Sequence, residues 1–307
     1  MSCILPYKST FSNFMCAVPM QNQVRLALAN KDAAIAGMNV GAVRCEVSGS
    51  MMINIGIELE ELQCVSQFPM SVQVLNLIIN SRRKLQFNIS NLGLHATALQ
   101  RAKVQERINS LQIRIDSWRD IQAFYIPSVS LLRRQVDGKQ ASEIKAYDSQ
   151  LWLPSAIGLH ASCDQALRES EWALREAQAN DALTTIRQHL HLDSFLIKRK
   201  KDWLRGVRAN TRSQTVILQN QLKLKAAVDR YRAAFTALSA LEPLLNKPAQ
   251  WRHGLKPLLD DNIRGLPVDG LGEGHRTLSW IWMVQGVMGG GDQDPGLHDG
   301  MLLQRWS

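Results

Sequence analysis

The chain predicts an all-α fold in which long antiparallel helices form an elongated bundle or coiled coil. Three observations carry this. Apolar residues recur at intervals of three and four over long stretches, alternating strand patterns are nearly absent, and Pro- or Gly-containing linkers separate the stretches. No GxGxxG, Walker A or strand-turn-helix pattern occurs.

Residues 1–52 mix small residues, Gly and isolated charges without clean periodicity and predict an irregular or poorly ordered, partly helical segment. A long-helix bundle is expected over 53–246. It opens with "GIELEELQ" (56–63), and 64–84 interrupts it with a β-branched, apolar run containing Pro69. The first long helix carries Val104, Ile108, Leu111, Ile115, Trp118, Gln122 and Tyr125, spaced 4, 3, 4, 3, 4, 3. That is an a/d seam with one polar substitution. Pro127 lacks a backbone donor and should end it.

"DGKQ" (137–140) predicts a turn and "LWLPSAIG" (151–158) a linker. A second helix runs from Asp164 to Arg205 with the seam Leu183, Ile186, Leu190, Asp193, Ile197, Lys200, Leu204, which weakens toward its charged end. Gly206 marks its stop. Thr211 followed by Gln214 reads as the capping box of a third helix. Its stripe is Leu224, Val228, Tyr231, Phe235, Leu238, Leu241 and Leu245, with Pro243 ending the clean pattern. A Trp-containing closing motif (247–285) and a flexible tail (286–307) complete the chain.

The 307 residues include 45% hydrophobic side chains, enough for a core, and the net charge is +9. Residues 98–245 hold 23 basic against 15 acidic side chains, so nearly all the excess lies there. This fits a polyanionic partner such as duplex DNA, contacted non-specifically; separately, no small-molecule substrate is expected. Five cysteines without a CxxC pair argue against a disulfide framework or zinc knuckle and for a reducing, intracellular compartment. The N-terminus lacks a secretory pattern, and no run reaches about 18 apolar residues, so no membrane span is expected.

The candidate interface is the basic cluster Lys198, Arg199, Lys200, Lys201, Arg205, Arg208 and Arg212, with Trp203 inside it. Two readings stand side by side. Cations in a last helical turn are favoured by the helix dipole and need no ligand. The same cations at a hairpin tip can neutralise DNA phosphates. His189 and His191, at i and i+2 on a helix, point apart and cannot share a metal. His160 and Cys163 lack a second pair or an orienting group, and Asp260 and Asp261 suit a turn or cap better than a catalytic pair. Trp280 and Trp282, two apart in a short strand, would share one side and cap the bundle, or stack bases. Arg264 and Arg276 flank them, with Asp261 and Glu273 as expected partners. No catalytic residue, cofactor or metal site is expected.

Several segments taken together carry a resemblance. "ATALQRAKVQERINSLQIRIDSWRDIQAFYIPSVSLLR" (96–133), with Trp118, Gln122, Tyr125, Pro127 and Val129 as its most diagnostic residues, resembles the helical region downstream of the catalytic core in Kyakuja–Dileera–Zisupton transposases. These are proteins of eukaryotic DNA transposons, abundant in fungi. "LWLPS" (151–155), "LREAQANDALTTIR" (174–187), "RANTRSQTVI" (208–217), "YRAAFTAL" (231–238, with Tyr231 and Arg232), "DDNIRGL" (260–266) and "GEGHRTLSWIW" (272–282) are similar to the segments that follow it in the family.

The resemblance covers roughly 53–300, with gaps, and implies an all-α, non-catalytic C-terminal region, nuclear if it binds DNA. Three departures matter. The family's RNase H-like core should precede this region, yet residues 1–52 hold only Asp32 and Glu46 as acids. Residues 64–84 break the match and read as a retained intron or an error in the gene's exon boundaries. The family pattern continues past "DPGL" (294–297), and Asn262 stands where an acid is usual. The expectation is a truncated or degenerate transposase-like product acting through helix-mediated association, homo-oligomerisation included, with non-specific DNA contact. The alternative is a coiled-coil scaffold with no nucleic-acid role. On the scaffold reading, Ile108 and Ile115 would form the self-association seam.

Overall fold

A computed structural model of the chain describes residues 19–38, 47–63, 98–137, 149–203, 207–266 and 278–284. Among the described residues the fold is all-α, with no strand. The helices are α1 (Gln21–Met38), α2 (Gly49–Gln63), α3 (Ala98–Tyr125), α4 (Val129–Asp137), α5 (Pro154–Ile157), α6 (Gln165–Trp203), α7 (Val207–Leu245) and α8 (Trp251–Gly254). Two 3-10 turns, Asp260–Asn262 and Trp280–Trp282, follow.

The predicted seams become two separate hydrophobic cores. In the first, α2 supplies Met52, Ile53 and Ile57, and α3 supplies Leu111, Ile115 and Trp118. The one polar seam position, Gln122, is fully buried and explains itself. Its amide donates to the carbonyls of Leu151 (3.2 Å) and Trp152 (2.7 Å). These bonds hold Trp152 in the left-handed region, at φ 54°, where a bulky residue is strained. Trp118 Nε1 donates to the Met52 carbonyl at 2.9 Å and the Tyr125 hydroxyl to that of Val47 at 2.6 Å. Helix α3 ends at Tyr125, two residues before Pro127.

The second core joins α6 and α7, each 39 residues, through Leu183, Ile186, Leu190, Val228, Tyr231 and Leu238. The two helices run antiparallel, with His189 set against Asn220 and Lys200 against Gln214. Within this apolar seam Asn220 is buried, and its amide donates to the His189 carbonyl at 2.8 Å. A buried amide of this kind fixes register, since any slip strands its hydrogen-bonding groups.

Four sequence expectations are corrected. Residues 21–38 and 49–52 are helical, not irregular. "LWLPS" is no linker: Leu151 and Leu153 lie in the first core, and Pro154 occupies the first turn of α5, where its missing donor costs nothing. Thr211 lies inside α7, which starts at Val207, so no capping box begins the helix there. The helix also passes through Pro243 to Leu245. The 64–84 interruption, the Gly138–Gln140 part of the turn, Leu204, Arg205, Gly206 and the 286–307 tail lie outside the described residues.

Gly56 marks the closest approach in the first core. A Cβ there would sit 2.7 Å from Leu153 Cδ2 and 2.8 Å from the Trp118 ring. Gly56→Ala is therefore expected to destabilise the fold by about 1–3 kcal/mol through overpacking, despite alanine's better helix propensity. Urea unfolding checks this, and a stabilised variant would contradict it.

Candidate functional site

The basic end of the α6–α7 hairpin is built by the decay of the α6 seam. Leu190 is buried, Asp193 half-buried, and Ile197 is 50% exposed. Among the described residues of α6 none beyond this point joins the core. Lys198 and Arg199 are exposed, and no carboxylate pairs with either among the described residues. Lys200 is half-buried and donates to Gln214 Oε1 at 2.5 Å, so it braces the hairpin. Phe195, 55% exposed, sits one turn earlier. Lys201 and Trp203 fall within α6, and Arg208 and Arg212 within α7; the placement of these four side chains and the whole of Arg205 lie outside the described residues.

Sequence reasoning missed the most heavily charged part of the interior. Glu171, Arg175 and Gln178 lie at i, i+4 and i+7 on α6, on one stripe, and all three are buried. Glu171 accepts from the Ser155 amide (2.8 Å), the Ser155 hydroxyl (2.6 Å) and Arg175 Nε (3.3 Å). Arg175 also forms an ion pair with Glu60 and donates to Gln178 Oε1 at 3.2 Å. Gln178 passes a hydrogen bond to Glu61 at 2.7 Å, and Glu61 pairs with Arg230 of α7 at 3.0 Å. Burial pushes the Glu171 carboxyl above its ordinary range, with Arg175 and Ser155 pulling the other way. This layer joins α2, α5, α6 and α7 where α6 passes from one apolar core to the other.

The closing segment is stitched on by side chain to backbone bonds. The Tyr231 hydroxyl donates to the Lys256 carbonyl at 2.7 Å, and burial raises its pKa. Arg232 donates to the Leu258 carbonyl (2.9 Å) and to Asp260 Oδ1 (2.7 Å). The Arg232 guanidinium holds the exposed Asp260 carboxyl below its usual range. Asn262 accepts from the Leu259 amide at 3.1 Å, and Trp282 Nε1 donates to the Arg264 carbonyl at 2.9 Å.

Trp280–Trp282 is a 3-10 turn, which corrects the expected strand. Ile281 between them is buried, and both indoles pack partly on the second core. Arg187 of α6 clamps this turn by donating to the carbonyls of Ile281 (2.6 Å) and Val284 (2.5 Å). Arg264 turns back to the Asp261 carbonyl at 2.5 Å in place of the expected side-chain pair, while Glu273 and Arg276 lie outside the described residues. A cleft of about 430 Å³ beside Trp280 is lined by Asn180, His253, Lys256, Met283 and Val284, with no carboxylate among the described residues that line it.

His189 bonds Asn220 through Nδ1 at 2.7 Å, and His191 is exposed on the far face. Cys163 is half-buried and its thiol is pushed up to about 11 by burial. A thiol so raised is a poor nucleophile near neutrality. Among the described residues no three His, Cys, Asp or Glu side chains gather into a metal-sized group, and no helix is long and apolar enough to cross a membrane. The residues singled out by the family resemblance therefore do structural work: Trp118, Gln122, Tyr125, Tyr231, Arg232 and Trp282 each bond a backbone carbonyl. Comparison of the chain with protein-family models, characterised proteins and solved structures yields no match.

Two predictions follow from these environments. Glu171→Ala leaves Ser155 and part of Arg175 unpaired inside the protein, and is expected to cost about 3–5 kcal/mol in urea unfolding, with Glu171→Gln costing less. Cys163 in the folded protein should hold roughly 100-fold less thiolate at pH 8 than an ordinary cysteine. Its alkylation by iodoacetamide, followed by peptide mapping, should keep accelerating until about pH 11.

Proposed function

We propose that the chain is a non-catalytic, helical region of a Kyakuja–Dileera–Zisupton-like transposase that contacts duplex DNA non-specifically through the basic end of the α6–α7 hairpin. The observation that carries this is the exposure of Lys198 and Arg199 at a point where α6 has left the core, with the Phe195 ring open nearby. Charges with no folding duty are available to phosphates, and their affinity needs no base readout. The family resemblance supplies the DNA context. In this reading the protein acts in the nucleus, and the two cores and their polar layer serve as a rigid stem that presents the tip.

Helix association in this reading is intramolecular. The α3 seam is engaged within the chain: Leu111, Ile115 and Trp118 are buried in the first core with α2, and Ile108 is partly buried on it. Ile115→Asp would unfold the first core before it dissociated a dimer.

The test is the salt dependence of binding to a random-sequence duplex. Each phosphate neutralised contributes about 0.9 to the slope of log affinity against log salt. Replacing Lys198 and Arg199 with Gln should flatten the slope by about 1.8 and weaken binding, with unchanged helicity by circular dichroism. Unaltered affinity and slope in the double variant would remove the tip from the interface.

A further inference from the structure

We propose that α1 is a detachable strap, held on the α2–α6–α7 surface by polar contacts and released by local opening while the two cores stay folded. The helix is 18 residues long, yet Gln21 at its first position is its one buried side chain among the described residues. Its apolar residues do not form a stripe. Leu26 is 63% and Ile35 49% exposed, and among the described side chains of α1 only Val24 and Leu28 pack partly on the first core.

What fastens α1 is hydrogen bonding and charge. The Gln21 backbone N–H donates to Asp181 Oδ2 on α6 at 3.1 Å, and Gln21 Oε1 accepts from Arg230 on α7 at 2.9 Å. Arg25 pairs with Glu58 on α2 at 3.2 Å, and Asp32 accepts from the Ser50 hydroxyl at 2.5 Å. Contacts of this kind contribute little net stability, because water replaces them on release, whereas apolar burial has no such substitute. A helix this poorly buried belongs to the low-stability end of a protein's local openings. Opening would free Asp181 and the Arg230 guanidinium beside Glu61, so α1 gates a charged face of the α6–α7 pair distinct from the basic tip.

Native-state hydrogen exchange read by mass spectrometry on the full chain tests this. Amides of 22–38 should exchange at least about 100-fold faster than those of 177–190 and 227–241. Arg25→Glu, which sets like charges at Glu58, should speed α1 about tenfold further without altering α6 or α7. Raising NaCl to about 0.5 M with the unchanged protein should act in the same direction by screening the Arg25–Glu58 pair, a control that requires no variant to fold. Exchange of α1 in one cooperative step with α6 and α7, or a variant that accelerates all three equally, would overturn the proposal.

Discussion

Arg175 is the side chain on which the two halves of the structure meet. It is 2% exposed, lies between Glu171 and Glu60, and sits on a helix that contributes to both cores. Withdrawing Arg175 and Glu171 from water, with Glu60 at the half-exposed edge, is unfavourable by several kcal/mol per buried ion, and only good geometry and further hydrogen bonds offset it. Here those bonds come from Ser155 and Gln178. The arrangement adds little to net stability compared with an apolar layer of the same volume. What it adds is position. Apolar surfaces tolerate sliding, whereas Glu171, Arg175 and Gln178 must face Ser155, Glu60 and Glu61 together. The α2–α3–α5 core is thereby set on the hairpin in one register.

Asn220 performs the same task further along the hairpin, where α6 and α7 would otherwise meet through interchangeable apolar side chains. Gln122 does so in the first core by holding Trp152 in a conformation that its own backbone disfavours. Each is a single buried polar group facing a backbone carbonyl. Each turns a permissive hydrophobic contact into a specific one, because the alternatives leave a donor unpaired in a dry interior.

The periodic elements were legible because burial imposes a period: the spacing of Leu111, Ile115 and Trp118, and of Leu183, Ile186 and Leu190, is the spacing of one helix face. What periodicity does not encode was missed. Helix α1 has no apolar stripe to read, since polar contacts hold it. Pro154 signals a break and a helix start equally well, and the burial of Leu151 and Leu153 depends on Gln122, some thirty residues away. Thr211 and Gln214 have capping-box spacing, but the same spacing occurs by chance inside a helix, and α7 had already begun. The Glu171–Arg175 pair reads in sequence as an ordinary surface i, i+4 pair. Only the approach of α2 and α5 makes it an interior one.

The basic tip follows from the same accounting. Core burial along α6 ends near Leu190, and the charged seam positions Asp193 and Lys200 lie beyond it. A charge at such a position costs the fold little, because it stays in water. The helix dipole is indifferent to how many cations cluster at one end, and it favours them only within the last turn. Lys198 lies more than one turn before the end of α6 at Trp203, where the dipole's pull has largely faded. An outward face with exposed Phe195 and Arg199 likewise has no explanation in the dipole. Asp181, where α1 is fastened, lies 17 residues earlier, roughly 25 Å along the helix. Screening at physiological salt acts over about 8 Å, so charge changes at the tip and release of the strap are energetically separate events. The stem between them is the part of α6 that the buried amides and the Arg175 cluster hold in place, and it can transmit position from one end to the other without coupling their charges.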